Sequence, residues 1–593
     1  MKTRKILHAL RAGTITLPVL PAAAMLLLAG FPLPQMAQEA AQIQPTAKVN
    51  GPVTANPPRE IVLGDLPQIT RADIANYRQA PPARNPYFND AQLKAIKAHA
   101  ATAPAITRPE DAAHIAAPRA AESISDNEVE PPTPPAFENF QGANEDLSCG
   151  GLTPSDMGLA VSPAWVLQTV NACVSVYTTT GTLQAGFPKT LDAFLGWPAG
   201  TFTFDPRATY DVAFNRFIVT ASTVDSSNAG WWNIAVSKNG DPRGGYYVYQ
   251  FNEGTNVLVD FPTLGQNWGY DGRDGAIYTC ANIFTNSAFT DAMCLYLPKT
   301  LMYSGQGFSY YFTNNFNYGG TILDTIQPAN VAEPGSKPRA EFAIDSINTN
   351  GGGACGNNPC HGVIVWSFAN TLAGNNSPGP VVAGIFVSTP SAYSYPASAD
   401  TPFCTNCIDT NDNRISGMLQ YSAGRLFPSI NVANGGTSAV LGWIIRPFLN
   451  DNGGNCTGVY TNACPTITGA TVEQEYCDYC GAGHGAAAYY GAVTPTNELN
   501  WTMGATFSNQ SLSPGLFYVS NRVTWQTPFH DSGIFACQAN NNYTQGRWGD
   551  YNAAAPQINI NFPAVWVSGM WVMSDGNWGT CIAGDRYNSV EDP

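Results

Sequence analysis

The chain has 593 residues and a formal charge of −15, with 12% charged, 11% aromatic and 44% hydrophobic side chains. An average globular protein is about 25% charged, so polarity here rests on Asn, Thr, Ser, Gly and Tyr. An acidic chain without a Lys/Arg run excludes nucleic acid as a partner, because phosphate binding needs concentrated positive charge, and it equally disfavours an anionic membrane surface.

Residues 1–37 read as a signal peptide. Lys2, Arg4, Lys5 and Arg11 form a basic start, an apolar stretch containing "PAAAMLLLAG" follows, and small residues near Ala37 and Ala40 offer cleavage positions. The alternative is an uncleaved anchor, against which Pro18, Pro21, Pro32 and Pro34 argue by breaking a spanning helix. No later segment reaches the ~18 continuous apolar residues a membrane helix needs. The reading is a secreted or periplasmic protein with no membrane span after signal cleavage.

Residues 38–145 are rich in Pro and Ala ("PPARNPYF", "EPPTPPAF") and contain neither Cys nor Trp. One short helix is predicted at "NDAQLKAIKAHAA", capped by Asn89 or Asp90. The rest reads as a largely disordered linker or propeptide, since so few large apolar groups cannot offset the entropy of ordering.

Residues 146–593 change to short β-rich runs between Gly, Asn, Asp and Pro turns. A loose repeat recurs: "NRFIVTAS" at Asn215, "GAIYTCAN" at Gly275, "GVIVWSFAN" at Gly362, "GRLFPSIN" at Gly424, "GLFYVSN" at Gly515 and "GMWVMSDGN" at Gly569. Each is a turn residue, an aromatic or β-branched strand, then small polar residues. The starts lie from 54 (515 to 569) to 91 (424 to 515) positions apart. The two widest gaps hold either a degenerate blade or a long insertion, since a four-stranded blade takes ~40–50 residues. A β-sandwich pair would also show short strands with turns. Recurring aromatic strands over this length fit radial repetition better, where each sheet buries both faces against its neighbours. The expected fold is an all-β β-propeller of six to eight blades, seven favoured.

All 14 cysteines lie at or beyond Cys149, and an even number in an exported chain reads as disulfides. Spacing suggests Cys355–Cys360, Cys404–Cys407, Cys456–Cys464, Cys477–Cys480 and Cys280–Cys294, with Cys149–Cys173 and Cys537–Cys581 left by elimination.

Three stretches taken in order carry a resemblance: Ser155 to Gly196; "FDPRATYDVAFNRFIVTAS" from Phe204 with "DFPTLGQNWGYDGRDGAIYTCANIF" from Asp260; and "QGRWGDYN" followed by "NWGTCIA". Together they resemble exported bacterial proteins of the sialidase-like, Asp-box-type β-propeller group. That resemblance implies a propeller rather than an activity, because propellers host unrelated functions. "SKNGDPRGGYY" at Ser237 and "SDGNWGT" at Ser574 approximate the Asp box without matching it.

Chemistry is sparse. "ACGNNPCHG" has four residues between its cysteines where haem attachment uses two, so a disulfide-closed turn is the better reading. "CDYCGAGHG" has zinc-ligand residue types, but export consumes the thiolates. "DTNDNR" presents Asp409, Asn411 and Asn413 in calcium-loop alternation, although Arg414 stands where glycine is needed and Gln420 where the closing glutamate belongs. No cofactor is expected, and calcium is the metal these residues would suit.

No nucleophile elbow or zinc-protease motif occurs, and His530 beside Asp531 and Ser532 is no triad, since adjacent strand residues face opposite ways. Carboxylates remain as acids and bases: Asp550, Asp205 and Asp271 are the catalytic candidates, from a pool that includes Asp211 and Asp274. Arg547, Trp548, Tyr551, Arg207, Trp268 and Arg273 are the candidate ligand contacts. In "RWGDY", Arg547 and Asp550 are spaced to meet across a turn relaxed by Gly549, while Trp548 and Tyr551 bury their rings. This is a structural latch first and a ligand contact second. The functional expectation is recognition of an extracellular glycan or protein at the propeller face. The alternatives are a sialidase-like glycoside hydrolase using carboxylates at the propeller mouth, and a structural or adhesion protein.

Overall fold

The computed structural model describes residues 44–70, 90–106, 136–145, 149, 153–199, 201–269, 274–333, 337–347, 359–372, 379–450, 464–478, 480, 485–496, 500–521, 533–543, 547–558 and 563–586. The signal-peptide region lies outside them.

Seven antiparallel sheets follow one another along the chain as the blades of a propeller. The first blade runs Gly158–Val161, Trp165–Val170, Cys173–Thr178 and Lys189–Thr190. The second runs Phe202–Asp211, Arg216–Val224, Ala229–Ser237 and Gly245–Thr255. The third runs Val257–Gln266, Ala276–Thr285, Ala288–Pro298 and Phe308–Tyr318. The fourth runs Gln327–Pro328, Glu341–Ser346, Cys360–Ala369 and Val381–Tyr393. The fifth is built on Ser429–Asn434, Thr437–Leu449 and Ile467–Asp478. The sixth runs Ala486–Pro495, Trp501–Asn509, Leu512–Asn521 and Ile534–Cys537. The seventh runs Ala553–Gln557, Ala564–Val572 and Trp578–Arg586.

The strands are buried on both faces because each sheet is sandwiched between two others, which is why their sequences read as near-continuous Val, Ile, Tyr and Trp rather than alternating. Trp232, Ile234 and Leu295 fill the space between the second and third blades, and Trp366 with Trp443 lie in the core shared by the third to fifth. Trp566 and Trp578 fill the space between the seventh blade and the first. The sequence repeats fall on different strand positions: Arg216–Val224 is second in its sheet, whereas Cys360–Ala369 and Leu512–Asn521 are third. The wide gaps therefore contain no hidden blade. The blade without a repeat is the first, which precedes Asn215.

The 38–145 zone is not a separate linker throughout. Thr46–Ala55 pairs with Phe308–Tyr318 at the edge of the third blade, and Arg59–Val62 with Gly245–Thr255 at the edge of the second. Glu138–Asn144 pairs with Trp578–Arg586, so chain from before the first blade completes the last one and closes the ring. The reading from composition failed here for a physical reason. An edge strand is held by backbone hydrogen bonds to an open sheet edge and needs few large apolar side chains. The predicted helix is present at Asp90–Ala100.

Disulfides join Cys280–Cys294 and Cys477–Cys480 as the spacing suggested, and Cys149–Cys173 and Cys537–Cys581 as elimination left them. Cys360 and Cys464 are also in disulfides, while Cys355 and Cys456 lie outside the described residues. The expected Cys404–Cys407 bridge is not formed, and both are free thiols. They share the short strand Cys404–Ile408, where each thiol turns to the backbone: Cys407 Sγ to the Cys404 carbonyl at 3.3 Å and Cys404 Sγ to that of Thr405 at 3.8 Å. Burial, then the neighbouring Cys404, pushes the Cys407 thiol up to about 12.

Candidate functional site

Strands Gly158–Val161, Phe202–Asp211, Val257–Gln266, Gln327–Pro328, Ala486–Pro495 and Ala553–Gln557 face one another around the axis. At the end where they begin, several blades place a non-glycine residue in the left-handed region: Asp156 (φ 37°), Asp205 (52°), Phe261 (52°), Thr325 (53°) and Tyr490 (57°). Register shifts mark the same points, between Phe204 and Arg207, Asp260 and Thr263, and Tyr489 and Ala492. Each such residue costs on the order of 1 kcal/mol and persists only where its surroundings over-determine it. Here the surroundings are one polar network.

Arg547 Nη2 donates to Asp550 Oδ2 (2.6 Å), so the two ends of the predicted latch do meet. The Asp550 backbone N–H donates to Asp156 Oδ1 (2.6 Å), and Asn171 Nδ2 donates to Asp156 Oδ2 (2.7 Å). Asn171 Oδ1 in turn accepts from the Asp205 backbone N–H (2.8 Å), and Asp205 Oδ2 from that of Phe261 (3.0 Å). The chain of bonds thus links the seventh blade through the first and second to the third. Arg207 lies 3.2 Å over the Tyr551 ring centroid and donates to the Ser416 carbonyl (2.8 Å), while its Nη2 is buried without a partner among the described residues. Arg414 is held by both carboxylate oxygens of Asp412 and lies 4.4 Å over the Phe261 ring. Trp548 and Tyr551 are fully buried, and the Tyr551 hydroxyl donates to the Pro206 carbonyl (3.2 Å).

Three guanidinium groups and at least four carboxylates therefore converge. Asp156, Asp205, Arg207, Arg414 and Asp412 are buried, whereas Arg547, Asp550 and Asp260 are part-exposed and form the mouth. Burial, then the charges of Asp550 and Asp205, drives the Asp156 carboxyl well above the usual range. Burial and Asp550 raise Asp205 to about 6, and burial and Asp205 raise Asp260 to about 8. For Arg547, burial lowers the pKa, but the surrounding carboxylates led by Asp550 outweigh it and the pKa rises.

The helix Asp90–Ala100 lies at the rim. Lys97, almost fully buried, pairs with Asp409 Oδ1 (3.1 Å) and donates to Thr410 Oγ1 (3.0 Å) and the Asn411 carbonyl (2.5 Å). Asn411 Nδ2 donates to Asp550 Oδ1 (3.1 Å). The calcium candidates are thus engaged otherwise: an ammonium sits on Asp409, Asn411 turns to Asp550, and Asn413 Nδ2 donates to the carbonyls of Ser394 and Asn431. No group of three His, Cys, Asp or Glu able to hold a metal occurs among the described residues.

Of the sequence candidates, Asp550, Asp205, Arg547, Arg207, Trp548 and Tyr551 come together. Trp268 does not, since it follows the far end of the strand whose beginning holds Asp260. Asp211 is likewise at the opposite end of its strand from Asp205. Asp271 and Arg273 lie outside the described residues. Asp156, Asp260, Arg414 and Lys97 were missed. A signal existed for the first two: "SDMG", "FDPR", "VDFP", "LDTI" and "GDYN" each put an aspartate where an inner strand begins. Nothing local marks Arg414 or Lys97.

The chain matches no known protein family and no curated protein. Among solved structures it is similar to the Hadza microbial sialidase Hz136, at 11% identity and a TM-score of 0.31, over 62% of this chain and 65% of that one. It is also similar to an exo-β-1,3-galactanase from Phanerochaete chrysosporium, at 9% identity and a TM-score of 0.26, over 62% of this chain and 80% of that one. The Dos1 propeller gives 7% identity and a TM-score of 0.28, over 71% and 74%. The seven blades rest on the strand pairing above and not on these likenesses.

Proposed function

We propose that this protein is an exported, disulfide-stapled propeller that recognises a carbohydrate at its axial mouth. The observation that carries the reading is the set of part-exposed charges, Arg547, Asp550 and Asp260, seated on a buried network of Asp156, Asp205, Arg207 and Arg414. Burying ionisable groups costs several kcal/mol each before pairing repays it, so an apolar plug would close the ring more cheaply. Perturbed carboxylates gathered with part-exposed charges at one end of the inner strands are the pattern functional sites produce. Part-exposed guanidinium and carboxylate groups side by side are complementary to ring hydroxyls and to a sugar acid. The disulfides fit an oxidising compartment.

A second reading, hydrolysis of a glycosidic bond, is favoured by Asp260. A glycosidase needs one carboxyl kept protonated and another ionised nearby. Asp260, raised to about 8, would serve as the acid, with Asp550 on Arg547 as the partner carboxylate. A glycan array run beside a panel of aryl glycosides separates the readings. Retained glycan binding with no turnover supports recognition alone. Turnover that Asp260→Asn abolishes while binding survives makes the protein a hydrolase. Neither binding nor turnover on any glycan sinks both.

A further inference from the structure

At the end of the axis opposite the mouth, between the third and fourth blades, lies a cavity of about 350 Å³. Ligand pockets run from about 300 to 1,000 Å³, so this one suits a small molecule. Its wall carries a continuous polar chain. Asn267 Nδ2 donates to Glu341 Oε2 (3.1 Å) and to the Tyr278 hydroxyl (3.0 Å), and Tyr278 meets Thr371 Oγ1 at 2.8 Å. The Asn267 carbonyl oxygen is taken up by the backbone N–H of Ala276 (3.1 Å). The middle of the chain is therefore saturated and its ends are not.

Glu341 is the distinctive end. It is fully buried, it lines the cavity, and its Oε1 has no hydrogen-bond partner among the described residues. The backbone N–H groups of Ala329 and Phe342 lie close enough to favour the charged carboxylate, but the first is committed to the Phe342 carbonyl (2.8 Å) and neither is aligned on Oε1. A buried polar atom left unpaired costs free energy comparable to a lost hydrogen bond, and native proteins rarely leave one without a water or ligand to meet it. At the other end, Thr371 keeps a hydroxyl able to donate or accept. Phe368 lines the apolar side.

Charged groups of both signs surround the cavity. Lys299 is paired with Asp211 at 2.7 Å. Asp274 accepts from the Thr300 N–H (3.1 Å) and hydroxyl (2.7 Å), and it faces the cavity together with the oppositely charged Arg339. Burial drives the Glu341 carboxyl well above the usual range, against the pull of Asn267, the Ala329 backbone N–H and Lys299. The walls offer hydrogen bonds at two separated points, Glu341 Oε1 and the Thr371 hydroxyl.

We propose that this cavity is a second binding site, separate from the axial mouth, that takes one neutral sugar unit or a polyol of that size, with Glu341 Oε1 and the Thr371 hydroxyl as its polar contacts. The ligand's hydroxyls pair with the two ends of the chain, and a ring face lies against Phe368. The proposal does not depend on what the axial mouth binds.

Ligand-observed NMR with D-galactose, D-glucose and glycerol, and methylammonium as a cationic control, tests it on the full chain. Saturable binding of a hexose is expected, with none for methylammonium. Glu341→Leu should weaken it by at least about tenfold, the scale of one well-placed hydrogen bond. Glu341→Gln, which keeps a donor and an acceptor, should stay within about threefold. Thr371→Val gives an independent loss should Glu341→Leu fold poorly. Asp550→Asn at the mouth should leave the Glu341-dependent part of this binding in place. Absence of saturable binding to any of the three polyols overturns the proposal. So does equal loss in Glu341→Gln and Glu341→Leu, or Glu341-dependent binding that disappears with Asp550→Asn.

Discussion

Replacing Lys299 with methionine tests whether the buried ion pair between the second and third blades holds them together. Lys299 Nζ lies 2.7 Å from Asp211 Oδ2 with both side chains at 0% exposure, and it also donates to Gln266 Oε1 (2.7 Å). Removing one partner of a buried pair costs about 3–5 kcal/mol, because the other is left charged and dry. The two ends are not equally supported. Without Lys299, Asp211 keeps the Tyr303 hydroxyl (2.7 Å) and the backbone N–H groups of Ala213 (3.1 Å) and Phe214 (3.2 Å) as donors. Without Asp211, Lys299 keeps only Gln266 as a described acceptor, and the new amide of Asp211→Asn turns a donor toward the ammonium. Lys299→Met should therefore cost about 3 kcal/mol and Asp211→Asn nearer about 5 kcal/mol. The double variant Lys299→Met/Asp211→Leu should recover most of the loss, since an apolar replacement of both partners removes the stranded charge. Urea unfolding followed by tryptophan fluorescence measures all three against the unaltered protein. Single-variant losses under about 1 kcal/mol would refute the reasoning, as would Lys299→Met proving the worse of the two.

Three further outcomes follow from the same geometry. Asp260 holds its proton to about pH 8 in the folded state against an ordinary value of 3.8, and Asp205 to about 6. Between those values the folded protein binds more protons than the unfolded one, so stability falls as pH rises from about 4 to about 8. Asp260→Asn should flatten the upper part of that fall in thermal melts taken across pH, and an unchanged slope counts against the assignment. The Cys537–Cys581 disulfide ties the sixth blade to the seventh across 44 residues. Converting both to serine should cost about 4 kcal/mol from the entropy of that loop, read as a lowered urea midpoint that the Cys404→Ser/Cys407→Ser variant does not share. Lys97→Met removes the cation from Asp409 and should speed amide exchange along Asp90–Ala100. Exchange there at the original rate would show that Lys97 does not anchor the helix.

The latch at "RWGDY" shows how far local reasoning carried. Arg547 and Asp550 sit three apart around a glycine, and that spacing alone brings them to 2.6 Å. Their neighbours could not be found that way. Asp156 is 394 residues from Asp550, and it meets that residue's backbone only because a ring of blades brings the last inner strand beside the first. Arg414 reaches the cluster from an irregular segment between the fourth and fifth blades. Lys97 arrives on a helix from a zone whose composition reads as linker.

What the sequence by itself determined is local. Runs of β-branched and aromatic residues between turn residues define double-faced strands, and close cysteine spacings define Cys280–Cys294 and Cys477–Cys480, because both depend on neighbours along the chain. Tertiary structure decided the rest. Edge strands from Thr46, Arg59 and Glu138 are selected by unpaired sheet edges far away in sequence. Protonation of Asp156, Asp205 and Asp260 is set by burial and by one another's charges. Both are properties of distance in space, which a propeller fixes only when its ring closes.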